Sequence, residues 1–274
     1  MNLKTFLPEL RNRFEQYAKG FVSPDPNIQA ALDLKHDHTH RVCENILDIG
    51  EHEGLGDEDL HMAEATALLH DIGRFEQFMQ YKTFSDVRSE NHAILGVRVI
   101  RENEILKGID SQMARTIIRA VEYHNRAALP SRENGRDLFF MKLLRDADKV
   151  DIWRVVTDYY GDVRHERNPT IELNLPDTPD ISDAVYRSLL KGEIVQMKDL
   201  GTLNDFKLLQ IGWIYDVNFR RTFQMVREKR YLEQIRETLP SDSLSITTVY
   251  EKSLAYLNLK ANKRQGDQGQ RMVS

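Results

Sequence analysis

Apolar residues recur at helical spacing along most of the chain. The first 18 residues carry one apolar stripe, made of Phe6, Leu7, Leu10, Phe14 and Tyr17. Such a stripe is typical of an amphipathic helix that buries one face, and we predict that helix over residues 3–18. The prolines in residues 23–26 break the pattern and can start the next helix, which apolar positions mark over 37–52. Alternation of period two is scarce throughout, so we predict an all-α fold.

The middle of the chain continues this pattern with one interruption. Asp57 is a plausible N-cap for a helix that ends near Gly73. Residues 74–88 are interpreted as a loop anchored by aromatic side chains. We expect Ser89 and Ser111 to cap the next two helices. The further helical patterns of this region cover residues 89–106, 111–124 and 137–164.

A change of composition divides the chain. Residues 166–181 contain three prolines and many turn-forming residues, which indicates a long irregular connection that could be a lid, a wall or a surface crossover. Later helical patterns cover residues 182–196, 202–217, 219–238 and 242–259. We therefore predict one domain over 1–165, including the N-terminal helix. Residues 166–260 would hold the connection and helices that pack on or near this domain, and 261–274 a disordered polar tail.

Composition narrows the classes of protein. Among 274 residues, 41% are hydrophobic and 30% charged, a balance that can bury a core. The formal net charge of −5 argues against a generally basic nucleic-acid binder. Cys43 is the single cysteine, which excludes an intrachain disulfide and favours a reducing compartment. We expect a cytoplasmic protein, because the N-terminus lacks a signal-peptide core and no stretch has the apolar length of a membrane span.

Histidines and aspartates carry the chemical signal. His70 and Asp71 end an apolar helical run and precede a glycine, and imidazole nitrogen with carboxylate oxygen suits Zn, Fe, Mn or Ni. A lone His-Asp pair is a weak motif that also fits a surface pair. Upstream, however, His38 opens a helical pattern. Downstream, Asp148 lies in an apolar helix, where a carboxylate is costly unless it is paired or binds metal. These groups, on separate helices, can converge in a helical bundle.

Three segments resemble the HD superfamily of metal-dependent phosphohydrolases: HTHRV at 38–42, LLHDIGR at 68–74 and DADKVD at 146–151. The flanking RFEQ at 74–77 and NHAILG at 91–96 are similar to its bacterial HDIG-type branch. The resemblance covers about residues 30–160 and implies an HD-domain helical bundle with additional C-terminal helices outside it. It also implies a divalent transition metal (Mn, Fe, Ni, Co or Zn, as one or two ions), the first held by His38, His70, Asp71 and Asp148.

Two positions of this ligand set have alternatives. His40 could replace His38, but residues two apart on a helix point about 200° apart, so only one can face the site. The spacing to Val42 in the family favours His38. Asp146 could likewise replace Asp148, although the family pattern of Ala-Asp-Lys favours Asp148. Asp146 and Asp151 would then support the ligands or face solvent.

A second metal is the open question. In related dinuclear enzymes, histidines at the places of His92 and His124 hold a second ion, and the HD aspartate bridges the two. Here Asn125 stands where a third histidine is expected. The alternatives are that His92 and His124 contact substrate phosphate, or that both are ordinary histidines at helix ends. The remaining unsupported histidines are expected to be solvated helix residues: His36, His52, His61 and His165.

The family resemblance implies a reaction. We expect hydrolysis of a phosphomonoester or phosphodiester by a metal-activated water that Asp71 orients or deprotonates. Arg74 and Lys149 flank ligands and can hold phosphate oxygens, the alternative being surface salt bridges. We expect a small-molecule substrate, a nucleotide, rather than a nucleic-acid polymer or a membrane, and a homo-oligomer stays open. The absence of a Gly-Tyr-Pro tripeptide after the His-Asp pair argues against cyclic di-GMP hydrolysis. The rival hypotheses are a nucleotide-binding regulatory module without turnover and a diiron HD oxygenase.

Overall fold

The computed structural model describes residues 3–133, 135–162, 168 and 171–263. Within these ranges the regular structure is helical and no strand occurs, which confirms the all-α prediction. In the same ranges, no helix has both the length and the apolar character needed to cross a bilayer. The chain forms two compact units, Met1–Asp151 and Ile152–Ser274. The sequence-based division at residue 165 stays a prediction, as does the disordered tail.

The unit Met1–Asp151, here the N-terminal unit, is a bundle of helices. Its helices are α1 (Leu3–Lys19), α2 (Pro26–His52), α3 (Asp57–Leu69), α4 (Gly73–Tyr81), α5 (His92–Glu102), α6 (Ser111–Tyr123) and the first part of α7 (Gly135–Gly161), with a short 3-10 helix at Asp86–Arg88. Helix α3 lies in the middle, packed against α1, α2 and α6. Its residues from Met62 to Leu69 are all buried, so the His-Asp pair that follows emerges from the core.

The unit Ile152–Ser274, here the C-terminal unit, holds the rest of α7 and the later helices. These are α8 (Asp183–Lys191), α9 (Leu203–Gly212), α10 (Arg220–Glu228), α11 (Tyr231–Glu237) and α12 (Leu244–Asn262), with 3-10 helices at Met197–Asp199 and Trp213–Asp216. Trp153 is buried and its indole Nε1 donates a hydrogen bond to the Gln210 carbonyl, 2.9 Å away. The indole bond satisfies a donor that would otherwise be costly to bury.

Helix α2 begins earlier than the apolar pattern marks it. The Asp25 carboxylate caps the helix by accepting hydrogen bonds from the Asn27 and Ile28 amides, and Pro26 occupies its first turn. The proline break therefore starts one continuous helix through His52. The extension matters for the site, because it places Lys35 one turn before His38.

The interpretation of residues 74–88 as a loop was wrong for its first half. Gly73–Tyr81 is helix α4, because Phe75 and Phe78 are spaced three residues apart and share its buried face. The helix ends where Lys82 adopts a φ of 54°. Phe75 and Phe78, two of the aromatic residues that suggested anchors of a loop, are thus the apolar stripe of a short helix.

Several helix ends also differ from the prediction. Asn91 and Asp110 cap α5 and α6 in place of Ser89 and Ser111, each accepting two main-chain amides. Residues 219–238 form two helices, because Arg230 has a φ of 55°. Helix α12 extends to Asn262, into the predicted tail; the rest of that tail, 264–274, lies outside the described residues, as does His165.

A close approach of two helices sets the position of the His-Asp pair. A Cβ atom added to Gly73 would lie 2.5 Å from both the Gly96 nitrogen and the His92 carbonyl oxygen. No side chain fits there, so the start of α4 rests directly on the backbone of α5. This contact brings Asp71 close to His92, the first residue of α5.

We predict that Gly73→Ala lowers the free energy of unfolding by about 1–3 kcal/mol, because backbone atoms of α5 must move to make room for the methyl group. Gly161→Ala is the matched control, since a Cβ atom there meets nothing within 4 Å. The control should change stability by no more than about 0.5 kcal/mol. Urea unfolding curves of both variants measure the effect, and equal stabilities would contradict the close approach.

Candidate metal centre

The structure brings the four residues predicted for the first metal together. His38 lies on α2, His70 and Asp71 follow α3, and Asp148 lies on α7. The His38 Nε2 atom is 3.2 Å from His70 Nε2, 3.1 Å from Asp148 Oδ1 and 3.5 Å from Asp71 Oδ2. His38, His70 and Asp71 are buried and offer ligand atoms close enough to share one ion. These four residues are cluster A.

The two further histidines form a second group around the same aspartate. His92 Nε2 and His124 Nε2 are 2.9 Å apart, and both residues are buried. They lie 3.4 Å and 3.6 Å from Asp71 Oδ1. Asp71, His92 and His124 are cluster B. The two oxygens of Asp71 thus face different pairs of histidines, as a carboxylate that bridges two ions would.

A hydrogen bond at Nδ1 orients each of the four imidazole rings, His38, His70, His92 and His124. Each Nδ1 atom lies within 2.8 Å of an oxygen that can only accept a hydrogen bond, so Nδ1 carries the proton and Nε2 offers a lone pair. The acceptors are the Asp151 carboxylate for His38, the Ala67 carbonyl for His70, the Asp86 carboxylate for His92 and the Val121 carbonyl for His124. Histidines that bind metal are held in this way.

The spacing of the ligand atoms suits a transition-metal ion. Two Nε2 lone pairs 2.9–3.2 Å apart repel each other unless a cation lies between them. Ligands bonded at about 2.1 Å lie about 3.0 Å apart along an octahedral edge and about 3.4 Å apart along a tetrahedral edge. Imidazole with carboxylate is a donor set for Zn, Fe, Mn, Ni or Co. The residues present therefore fit the metal that the sequence implies.

The family comparison agrees with this geometry. Residues 36–153 match the family model described as HD domain, and that range contains every residue of clusters A and B. The match supports an HD domain over residues 36–153 of this chain. A search of curated proteins found no significant match, and a search of solved structures found none either.

Two of the buried histidines, His70 and His92, are neutral at physiological pH. Burial lowers the pKa of His70 to about 4. Burial and the Arg74 cation lower the pKa of His92 to about 3. Burial and the Lys35 cation also favour the neutral form of His38, but the neighbouring Asp148 and Asp151 carboxylates raise its pKa. Neutral imidazole is the form that binds metal.

The carboxylates stay ionised in spite of burial. Burial alone would raise the pKa of Asp71, but Lys35 and the neighbouring groups hold it well below its usual value. Burial is likewise outweighed at Asp148, where the neighbouring His38 lowers the pKa. Lys35 donates to Asp71 Oδ2 over 2.7 Å. Lys35 was not among the residues predicted for the site, although its position three residues before His38 on the same helical face could have indicated it.

Arg74 lies beside cluster B, where the sequence predicted a phosphate contact. Its Nη1 donates to the Phe84 carbonyl over 2.6 Å and to Asp86 Oδ1 over 3.2 Å. Its Nε atom is buried 3.5 Å from Asp71 Oδ1 and has no hydrogen-bond partner among the described residues. The guanidinium group is therefore held in place while one donor faces the aspartate.

Lys149 is placed differently from Arg74. It is nearly buried on α7, and its Nζ lies 3.5 Å from the Arg145 carbonyl. Its contact with phosphate stays a prediction. Arg145, which the sequence analysis did not single out, donates to the His124 carbonyl over 3.1 Å and so fixes the segment after α6.

The structure also places the alternative residues. His40 points away from cluster A and contacts Glu15 over 3.0 Å. Asp146 is fully buried, and Asp151 is the partner of His38 described above. Asn125 donates to Asp86 Oδ2 over 3.0 Å and so supports the carboxylate that orients His92.

His36, His52 and His61 also lie away from both clusters. His52 is exposed and contacts Asp48 within α2, and His61 is half-buried on α3. His36, expected to be solvated, is half-buried against Glu15.

We predict that Asp86→Asn weakens the binding of one ion and Asp151→Asn that of the other. Each change removes the carboxylate that holds an imidazole proton, and such partners contribute about 10–100-fold to metal affinity. Calorimetric titration of the metal-free protein with Mn²⁺ measures both sites. Asp33→Asn, an exposed residue on α2, is the control. Unchanged affinities in both variants would show that these contacts do not orient the ligands.

Proposed function

We propose that this HD-domain protein is a dinuclear metal-dependent phosphohydrolase. HD domains are generally found in metal-dependent hydrolases, and the His/Asp clusters could hold metal. The observation that carries the dinuclear assignment is Asp71, whose Oδ2 faces His38 and His70 while its Oδ1 faces His92 and His124. Placement within the HDIG-type branch stays a prediction.

The residues around Asp71 suit a phosphate ester. The bound ions would supply a nucleophilic water near neutral pH and polarise a phosphoryl oxygen. Asp71 would orient that water. Lys35 and Arg74 approach Asp71 from its two oxygens, at 2.7 Å and 3.5 Å, and both cations also lie over the Phe84 ring. Two fixed cations stabilise the negative charge that spreads over a phosphoryl group in the transition state.

The burial of the site favours a small substrate. The histidines of both clusters are at most 5% exposed, so an extended polymer could not reach them without rearrangement. We propose a phosphomonoester or phosphodiester, with a nucleotide as the substrate that the family resemblance favours. Lys149 would add a third cation from α7. This proposal does not depend on the oligomeric state.

The same donor atoms also suit a second candidate reaction. Four imidazoles with a bridging carboxylate also suit a pair of iron ions, so a diiron oxygenase acting on a small molecule is the alternative reaction. A regulatory module without turnover is less well supported, because such a module is expected to have lost ligands. All six predicted ligand residues lie in the clusters.

We predict metal-dependent release of phosphate from a panel of nucleoside phosphates, cyclic nucleotides and simple phosphate esters. Release should need Mn²⁺, Co²⁺, Ni²⁺ or Fe²⁺ and should fall to background in Asp71→Ala, because that change removes a ligand of both ions. Asp33→Asn should keep full activity. Oxygen uptake by the iron-loaded protein, without phosphate release from any substrate, would favour the oxygenase instead.

We predict that Lys35→Gln lowers kcat/KM for the phosphate substrate by about 10–100-fold, the range expected when a charged hydrogen bond worth about 1.5–3 kcal/mol is lost. Lys35→Arg should recover part of this loss. Metal content is measured in parallel and should not change, since Lys35 is not a ligand. If Lys35→Gln lost its metal, the lysine would be needed to hold cluster A together, and the loss of activity would not show a contact with substrate.

A further inference from the structure

Three residues outside clusters A and B also bring potential metal ligands together. His36 and His40 lie one turn apart on α2, and Glu15 faces them from α1. The Nε2 atom of His36 is 3.1 Å from Glu15 Oε2, and that of His40 is 3.0 Å from Glu15 Oε1. The two Nε2 atoms are 3.3 Å apart. These three residues are cluster C.

The distances in cluster C resemble those of a coordination shell. The two Nε2 atoms and Glu15 Oε1 form a triangle with edges of 3.0, 3.2 and 3.3 Å, close to the edges of about 3.0–3.4 Å expected around an ion bonded at about 2.1 Å. Hydrogen bonds to Glu15 do not account for every contact. Each Nε2 could donate to one oxygen of Glu15, but the two donors would then lie 3.3 Å apart with like partial charges.

The neighbouring Phe14 orients the two rings. Its ring stacks on His36 at a centroid distance of 6.0 Å and meets the edge of His40 at 6.1 Å. Phe14 is fully buried, so the imidazoles are backed by a fixed apolar surface. The other side of cluster C is open, with side chains 31–47% exposed. An ion could enter from water, and water could complete its coordination.

We propose that Glu15, His36 and His40 form a third, peripheral transition-metal site that binds Zn²⁺ and links α1 to α2. Two imidazoles and one carboxylate, with water in the remaining position, are a donor set that zinc accepts. The site shares no ligand with clusters A and B, because His38 projects from the opposite face of α2. An ion held only by the folded chain stabilises the packing of α1.

The test compares zinc binding by the wild-type chain and three variants. Glu15→Gln and His40→Gln each remove one ligand of cluster C at similar size. His52→Gln is the matched control, because it removes an exposed histidine from the same helix. Each protein is equilibrated with a zinc buffer at micromolar free Zn²⁺ and desalted, and bound zinc is counted by mass spectrometry. We expect the wild type and His52→Gln to bind one ion more per chain than the two cluster variants.

A second readout separates a metal site from a hydrogen-bonded cluster. Zinc should raise the melting temperature of the wild type by more than that of His40→Gln or Glu15→Gln. Equal zinc contents in all four proteins would overturn the proposal. So would an equal loss of stability in the cluster variants with and without zinc, because the three residues would then act only through hydrogen bonds. Binding that needs millimolar zinc, as single surface histidines do, would overturn it as well.

Discussion

The buried carboxylate of Asp71 is the constraint on which the N-terminal unit depends. An ionised carboxylate removed from water costs several kcal/mol unless cations or hydrogen-bond donors surround it. Here Lys35 and Arg74 approach its two oxygens, and imidazole nitrogens from four separate places complete the surroundings. Helices α2, α3, α5 and α6 are therefore placed so that these groups surround Asp71.

Main-chain carbonyls at helix ends orient two of the four ligand histidines. His70 and His124 each follow the last residue of a helix, and each donates its Nδ1 proton to the carbonyl three residues earlier. Carbonyls in the last turn of a helix lack partners within the helix, so they are available acceptors. His38 lies inside a helix and His92 begins one, so neither has such a carbonyl. Both use a carboxylate instead, Asp151 and Asp86.

This difference explains what could be predicted from the sequence. The all-α fold and the helices followed from apolar spacing, and the ligand residues from short motifs, because both signals are local. Asp86 could not be found in this way. It belongs to a 3-10 turn whose place is set by hydrogen bonds from Arg74 and Gln77 on α4. Since α4 was itself interpreted as a loop, the residues that orient His92 had no predicted scaffold.

The three alternating histidines of α2 show how one helix can serve two places. A helix turns about 100° per residue, so His38 projects about 200° from both His36 and His40, while those two lie about 40° apart. The segment His36-Asp37-His38-Thr39-His40 is a single histidine-rich motif in sequence. In space it separates into a buried ligand and an outward pair. Helical geometry therefore allows only one of His38 and His40 to face cluster A, and His40 contacts Glu15 instead.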